Sequence, residues 1–399
     1  MFSEFLSVKP KHVRGCLLPK HHAMVDSNLE KIVSNGSLTL QQICEIIEHN
    51  YALSWESRKY PCKLAKYANK LDADIQSTLV ENLRFMAELS LTRGNVSVID
   101  QDTLKTGNCS LTFSKEEAAI MVASIMIGAT PLEHIWFSAP ICAQKVNCLM
   151  AYFDRIRGWI KDSSTAATGG RHEKLDQKIT ILRRQENKKA VIREIAVCHT
   201  PLTPVLYYPK GKISDFAHDS IQADFANKYI GGGALEDGNV QEEIMFTVQP
   251  ELLTSMLFCD PMKSNEAIFI TGTETFAKHG GYGGLFHYGT PEQETGPTDS
   301  VNRFKRAVTA LDASIMYNWR ENFEPDRFYR DLIKAYIAFL GDPGLDAESS
   351  DGKMPICTGK WGCGMFGGDP ELKFLQQWIA ASACGRALKF MGFSERSLE

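Results

Sequence analysis

No Cys-x-x-Cys pair occurs in this sequence, although it holds 11 cysteines. That removes the usual zinc-ribbon and thioredoxin-like readings. Cys198 and His199 are adjacent, but no second ligand pair stands at zinc spacing, so no metal site is expected. The chain also lacks a strong charge of either sign. Its 44 basic and 48 acidic residues leave a net charge of −4, so any polyanion must be attracted by a local site rather than a global field. The most apolar run, AAIMVASIMIGA (118–129), is too short to span a bilayer. The opening MFSEFLSVKPKHVRG has no long apolar core ahead of its basic residues, so no secretory leader is expected. Free thiols in a reducing compartment, nucleus or cytoplasm, then account for the cysteines. Internal repeats and coiled-coil heptads are also absent. What remains is ordinary globular material, 44% hydrophobic and 23% charged over 399 residues. This length suits two domains, or one large domain with an accessory part.

Along the chain the pattern changes once. Up to about residue 160 apolar residues recur at helical spacing over 27–50, 71–91, 115–127 and 148–156. Ser114 and Glu117 form a capping box for the third of these, and Gly128 stands at its end. The small, polar stretch SSTAATGGRHEK (163–174) marks a junction. Strand-like runs then alternate with helices. Strands are expected at 178–183, 204–208, 220–226, 267–272, 307–313 and 387–393, and helices from Gln241, Pro325 and Pro370. Such alternation implies an α/β fold, a mixed sheet layered between helices. The expected division is a helical accessory domain over 1–160 and the α/β domain over 161–399.

Two clusters carry chemistry. In QADFANKYIGGGALEDGNVQEE (222–243), Gly231, Gly232 and Gly233 are followed after seven residues by Gln241, Glu242 and Glu243. A glycine triplet lets backbone approach a ligand closely. Adjacent carboxylates push one another towards the protonated form. Together they suit a glycoside-cleaving site, whereas separately they read as a surface turn and the solvated first turn of a helix. The second cluster, Trp361 to Asp369 (WGCGMFGGD), follows a strand-like segment and feeds a helix capped by Asp369, an arrangement that presents backbone N–H groups to phosphate. Gly362, Gly364 and Gly367 also satisfy G-x-G-x-x-G, which makes an NAD-dependent oxidoreductase the rival enzyme. That motif opens a dinucleotide fold and needs a long βαβ continuation, but little sequence follows it here.

The order GGG, spacer, QEE, with Asp224, Phe225, Ala226 and Asn227 upstream, resembles the signature of the poly(ADP-ribose) glycohydrolase family. WGCG-x-FGG resembles that family's diphosphate loop, with Lys360 where the family usually carries Asn. The stretch TGTETFAKHGGYGG (271–284) resembles its ITG-x-E segment and tyrosine clasp. The resemblance covers most of the chain from about residue 105.

It implies a macrodomain-like sheet between helices and hydrolysis of the ribose–ribose O-glycosidic bonds of poly(ADP-ribose), mainly from chain ends. The alternative is an ADP-ribose-binding macrodomain with little turnover. It also implies the site residues. Glu243 is the general acid and base, held protonated by Glu242 and by burial, and Glu242 and Asn227 hold ribose hydroxyls. Asp224, Gln241, Gly231, Gly232, Gly233, Gly362, Cys363, Gly364, Met365, Phe366 and Gly367 line the substrate. Tyr282, Phe393 and Ile213 enclose adenine, with His279 where the family commonly has a second tyrosine. Either Ser214 or Asp215 reads the adenine amino group. No cofactor or metal is implied. The expected partners are poly(ADP-ribose) and the proteins that carry it. Neither a membrane nor a specific nucleic-acid sequence is expected as a partner, and the protein is expected to be a monomer.

Overall fold

A computed structural model describes residues 19–54, 73–96, 104, 107–130, 140–165, 171–347 and 352–392. The N-terminal part supplies helices α1 (Pro19–Ser34), α2 (Leu40–Ser54), α3 (Ala73–Leu91), α4 (Lys115–Met126) and α5 (Pro140–Thr165). The rest supplies α6 (Lys188–Ala196), α7 (Gln241–Val248), α8 (Pro325–Phe339) and α9 (Pro370–Ala383). Among the described residues ten strands accompany them: β1 (Cys109–Ser114), β2 (Lys178–Gln185), β3 (Val205–Tyr208), β4 (Ile221–Asp224), β5 (Glu266–Thr271), β6 (Ala277–Gly280), β7 (His287–Pro291), β8 (Ala307–Ala310), β9 (Ile356–Gly359) and β10 (Leu388–Met391). Eight of them form one sheet in the order β1-β2-β5-β8-β4-β9-β10-β3, and β6 and β7 form a separate hairpin. The run β8-β4-β9-β10-β3 is parallel, and β1, β2 and β5 extend it antiparallel. Among the described residues no helix is long and apolar enough to cross a membrane.

The central strands β5, β8, β4, β9 and β10 are buried on both faces, and β5 shows why. In β5, Ile268 and Ile270 join one apolar cluster while Ala267 and Phe269 join the other, the period-two alternation of a strand. The first cluster runs from Leu29 of α1 and Phe153 of α5 to Ile179, Val308 and Met391. The second joins Phe390 to Leu332 and Ile337 of α8 and to Ala380 of α9. Helices therefore cover both faces, the layering that the alternation of elements implied.

Two local readings need correction. The segment 27–50 is not one helix: it breaks at Asn35-Gly36, and α2 restarts after Thr39. There Gln42 accepts the Thr39 amide at 2.9 Å and donates its own amide to the Thr39 hydroxyl at 3.3 Å, a reciprocal cap. The sheet also begins before residue 161. Its edge strand β1 comes from the otherwise helical part and pairs along its length with β2, Leu111 opposite Ile181 and Phe113 opposite Ile179. Six residues followed at once by a strong helix start give too short a strand pattern to stand out.

Polar groups also tie the helical part to the sheet. Lys115, the first residue of α4, is fully buried and paired with Glu274, and it lies 4.0 Å from Glu251. Lys174 reaches Glu274 at 2.9 Å, and Glu251 accepts the Glu274 amide at 2.9 Å. Burial, opposed by Lys115, pushes the Glu251 carboxyl from the ordinary 4.5 up to about 7. Between these values the folded protein keeps a proton that the unfolded chain has released, so Glu251 makes stability fall as pH rises towards 7 and adds nothing further above it. Glu251→Gln is expected to flatten that part of the profile. Urea unfolding from about pH 5 to about pH 8 checks this, and an unchanged slope in the variant would assign the pH dependence to other carboxyls.

Candidate active site

The parallel strands place their carboxyl ends along one edge, where open α/β sheets bind ligands. The loop 225–240 leaves β4 after Asp224, and the loop 360–369 leaves β9 after Gly359. The turn 209–216 leaves β3, and β10 ends at Met391. Both motif clusters and Ile213 thus share one side of the sheet. The β6–β7 hairpin carrying Tyr282 joins them through a bond from the Gly283 amide to the Asn239 carbonyl at 3.1 Å. Phe393 lies outside the described residues.

The first turn of α7 and the glycine loop are built around each other. Glu242 accepts the amides of Gly231 at 2.6 Å and Asn227 at 2.8 Å. Glu243 accepts those of Gly233 and Val240, each at 3.1 Å. Gly232 lies between the two carboxylates with φ +48°, and a Cβ there would stand 2.6 Å from Glu243 Oε1 and 2.7 Å from Glu242 Oε2. Glycine is required at this position by space as well as by φ. The Gln241 side chain accepts the Phe225 amide at 2.8 Å and donates to the Ala223 carbonyl at 3.1 Å. Its amide group is engaged with main chain and locks α7 to the end of β4. Asn227 Oδ1 likewise accepts the Tyr229 amide at 3.0 Å, which shapes the loop.

Asp224 completes a buried cluster of carboxyls. It is fully buried, and neither carboxylate oxygen has a hydrogen-bond partner among the described residues. Burial, reinforced by Glu243, pushes its pKa well above the usual carboxylate range. Burial, then the charges of Asp224 and Glu243, raises Glu242 as well, against the Asn227 and Gly231 amides that favour its ionised form. Sequence reasoning paired Glu242 with Glu243; the structure adds Asp224 as a third buried carboxyl, raised by burial as Glu242 is. Adjacency in sequence draws attention to the Glu pair, but Asp224 joins the pair only because β4 ends beside α7.

In the second loop Trp361 is buried, and its indole N–H donates to the Leu311 carbonyl at 3.0 Å. Gly362 takes φ +73°, and a Cβ there would meet that of Ala313 at 2.7 Å. Asn322 clamps the far end of the loop, donating to the Gly367 carbonyl at 3.2 Å and accepting the Asp369 amide at 2.8 Å. Asp369 caps α9 as expected, accepting the Leu372 amide at 2.9 Å. The amides of Gly364, Met365 and Phe366 donate to no protein group among the described residues, so the tip can serve an anion. Burial pushes the Cys363 thiol up to about 12, which leaves it neutral and a poor nucleophile.

At the other end of the site Ile213 is buried. One oxygen of Asp215 accepts the Lys212 amide at 2.9 Å, while Ser214 is exposed. Tyr282 is 40% exposed, and its hydroxyl faces the main-chain amide of Gln241 and the Glu243 charge. A half-exposed ring at a hairpin tip carries little stability, so Tyr282→Ala is expected to raise KM severalfold while kcat and the melting temperature change little. An unchanged KM in steady-state assays would show that the ring does not touch substrate. Among the described residues no group of His, Cys, Asp and Glu could hold a metal ion.

Sequence reasoning missed three supports: Lys145, whose buried ammonium donates to main-chain carbonyls of the glycine loop, Asn322 and Trp361. Lys145 and Asn322 carry no motif, and each meets its loop only through the tertiary fold.

A family model described as poly (ADP-ribose) glycohydrolase, macro domain fold, matches residues 192–399. The chain is 30% identical over 276 residues to "Probable poly(ADP-ribose) glycohydrolase 2" of Arabidopsis thaliana, covering 61% of this chain and 51% of that protein. It is 33% identical over 306 residues to "Poly(ADP-ribose) glycohydrolase 1" of Caenorhabditis elegans, covering 72% of this chain and 37% of that one. To "Poly(ADP-ribose) glycohydrolase 2" of the same organism it is 31% identical over 305 residues, covering 72% and 59%. The chain thus spans 37% to 59% of the lengths of these curated relatives. The matched region holds the carboxyl cluster, both glycine loops and the parallel strands that present them, and on that ground the chain belongs to the poly(ADP-ribose) glycohydrolase family and has its macro domain fold.

Proposed function

We propose that this protein hydrolyses the ribose–ribose O-glycosidic bonds of poly(ADP-ribose), mainly from chain ends, and releases ADP-ribose. The observation that carries the reading is the buried cluster of Asp224, Glu242 and Glu243, in which each glutamate is aimed by two backbone amides. Three carboxyls this close cannot all ionise, so the cluster keeps a proton for the leaving group at neutral pH.

Glu243 protonates the departing 2′-oxygen, and the ribose left behind develops oxocarbenium character. The ionised Glu243 then takes a proton from the attacking water, so one carboxylate acts in turn as acid and base. Glu242 and Asn227 hold ribose hydroxyls, and the charge of Asp224 lowers the tendency of Glu242 to ionise. The tip of the 362–367 loop binds the diphosphate, whose charge also favours the cation, while the 231–233 loop, its Gly231 and Gly233 amides given to the acids, lets the substrate backbone approach closely. Ile213 and Tyr282 enclose the adenine end, with Phe393 as the second ring. The chemistry calls on no cofactor.

The partners in this reading are poly(ADP-ribose) and the proteins that carry it, bound by a monomer. The free thiols of Cys44, Cys148, Cys259, Cys357 and Cys384 support a reducing compartment, the nucleus or cytoplasm.

Incubation with labelled poly(ADP-ribose), followed by separation of monomer from oligomer, tests the reading. Monomeric ADP-ribose is the expected main early product. Early products dominated by internal fragments would overturn the chain-end preference. Tight ADP-ribose binding with no release from polymer would make the protein a binding domain.

A further inference from the structure

We propose that Gln144 and Lys145, consecutive residues of α5, are the positioning pair that fixes the 231–236 loop and the β6–β7 hairpin around the carboxyl cluster. The helical segment then takes part in turnover without touching substrate. The inference rests on the hydrolase reading for its kinetic consequences, but its structural part stands on contacts alone.

Lys145 is buried, and its Nζ donates to the carbonyls of Gly233 at 3.3 Å, Ala234 at 3.0 Å and Glu236 at 2.7 Å. An ammonium group has three donors, and here all three can be used on one loop. A buried charge is tolerated only when hydrogen-bonded in this way, so the ammonium and the curled loop require each other. The same loop aims the Gly231 and Gly233 amides at Glu242 and Glu243. Lys145 therefore acts on the carboxylates through the backbone: it holds the carbonyl side of the loop, and the amide side holds the acids.

Gln144 does the corresponding work for the hairpin. Its Oε1 accepts the Tyr288 amide on β7 at 2.9 Å. Strand β7 pairs with β6, and the turn between them carries Tyr282 and is bonded back to Asn239. Consecutive helical residues diverge by about 100°, which lets one position face the glycine loop and the next face the hairpin. A single turn of α5 thus sets the distance between the acids and the tyrosine at the hairpin tip.

The test uses the full chain with Lys145→Met, Lys145→Arg and Gln144→Leu. Lys145→Met is expected to lower kcat roughly 10- to 100-fold, the scale of a misplaced catalytic group, with KM within about threefold of wild type. Loosening of the loop withdraws the Gly231 amide that favours ionised Glu242, so the cluster keeps its proton to higher pH and the alkaline limb of the pH–rate profile is expected to move to higher pH, whereas a merely structural role would leave it in place. Lys145→Arg should restore part of kcat. Gln144→Leu should raise KM severalfold and change kcat by less than about twofold.

Backbone hydrogen exchange without substrate reads the bracket independently of turnover. Faster exchange confined to 231–240 in Lys145→Met supports it even if the wild-type protein proves not to be a hydrolase. Unchanged exchange there, or kcat within about twofold of an active wild type, overturns it. If Lys145→Met does not fold, Lys145→Gln, which keeps two of the donors, carries the same expectations in weaker form.

Discussion

Replacing Glu243 with Gln is expected to lower kcat on poly(ADP-ribose) by at least about 100-fold, the lower end of what general acid–base catalysis contributes. The amide cannot release and recover a proton, so the step lost is proton transfer to the leaving oxygen. The environment of Glu243 adds a second consequence. Its two oxygens each accept a backbone amide, from Gly233 and from Val240. Gln offers one oxygen and one NH2 group, so one of those amides will face a donor. An unsatisfied buried donor costs about 1–3 kcal/mol. A lower melting temperature is therefore expected together with the loss of kcat, and a drop in stability alone does not demote Glu243 to a structural residue. The diagnostic measurement is the ADP-ribose dissociation constant beside kcat. A catalytic Glu243 predicts a kcat loss far larger than the loss of affinity. Turnover near the wild-type rate would remove Glu243 from the mechanism.

Glu242→Gln is expected to behave differently, because Glu242 also accepts two amides and is also raised by burial, yet its proposed role is to hold a ribose hydroxyl. Affinity and kcat should fall together. The contrast between the two variants separates acid from ribose ligand, a distinction their adjacency in sequence could not supply.

What could be read in the sequence was local. The Ser114–Glu117 capping box is present, with Glu117 accepting the Ser114 amide at 2.7 Å, because both partners lie within one turn. Pro325 and Pro370 begin α8 and α9 for the same reason. The strands β4, β8 and β10 could be found because they are short runs buried along their length, even though Gln222, Asp224 and Lys389 interrupt the apolar pattern. The glycine loop and the two glutamates could be paired because the loop returns to α7 within a few residues. Contacts made by the folding of distant segments were not legible. Lys145 meets the glycine loop across 88 to 91 positions, and Asn322 meets Gly367 across 45. A lysine in a helix reads as solvated surface until the fold buries it. Gln241 shows a related limit: its place in QEE suggested a ligand contact, and its bonds to the Phe225 amide and the Ala223 carbonyl at the end of β4 could not be read from the motif.

Gly232→Ala is expected to be as damaging as loss of the acid, by a different route. The residue holds φ +48°, and an alanine Cβ would lie within 2.7 Å of a carboxylate oxygen of both Glu242 and Glu243. Left-handed backbone at a non-glycine residue costs roughly 1–2 kcal/mol, and the overlap cannot be relieved without displacing the loop or the acids. Displacement on the scale of an ångström is enough for a loss of about 100-fold. Both acids are affected, so KM should rise as well as kcat fall, which distinguishes this variant from Glu243→Gln. Gly158→Ala, at a position on α5 where a Cβ meets open space, should leave turnover unchanged. Combining Gly232→Ala with Glu243→Gln gives the sharper test. If Gly232 matters because it lets Glu243 take its position, the two losses share one interaction and the double variant should be little worse than the poorer single one. Losses that multiply fully would mean that Gly232 acts through something other than the acid, and near wild-type turnover in Gly232→Ala would mean that the close packing of glycine loop and carboxylates is not needed for the reaction.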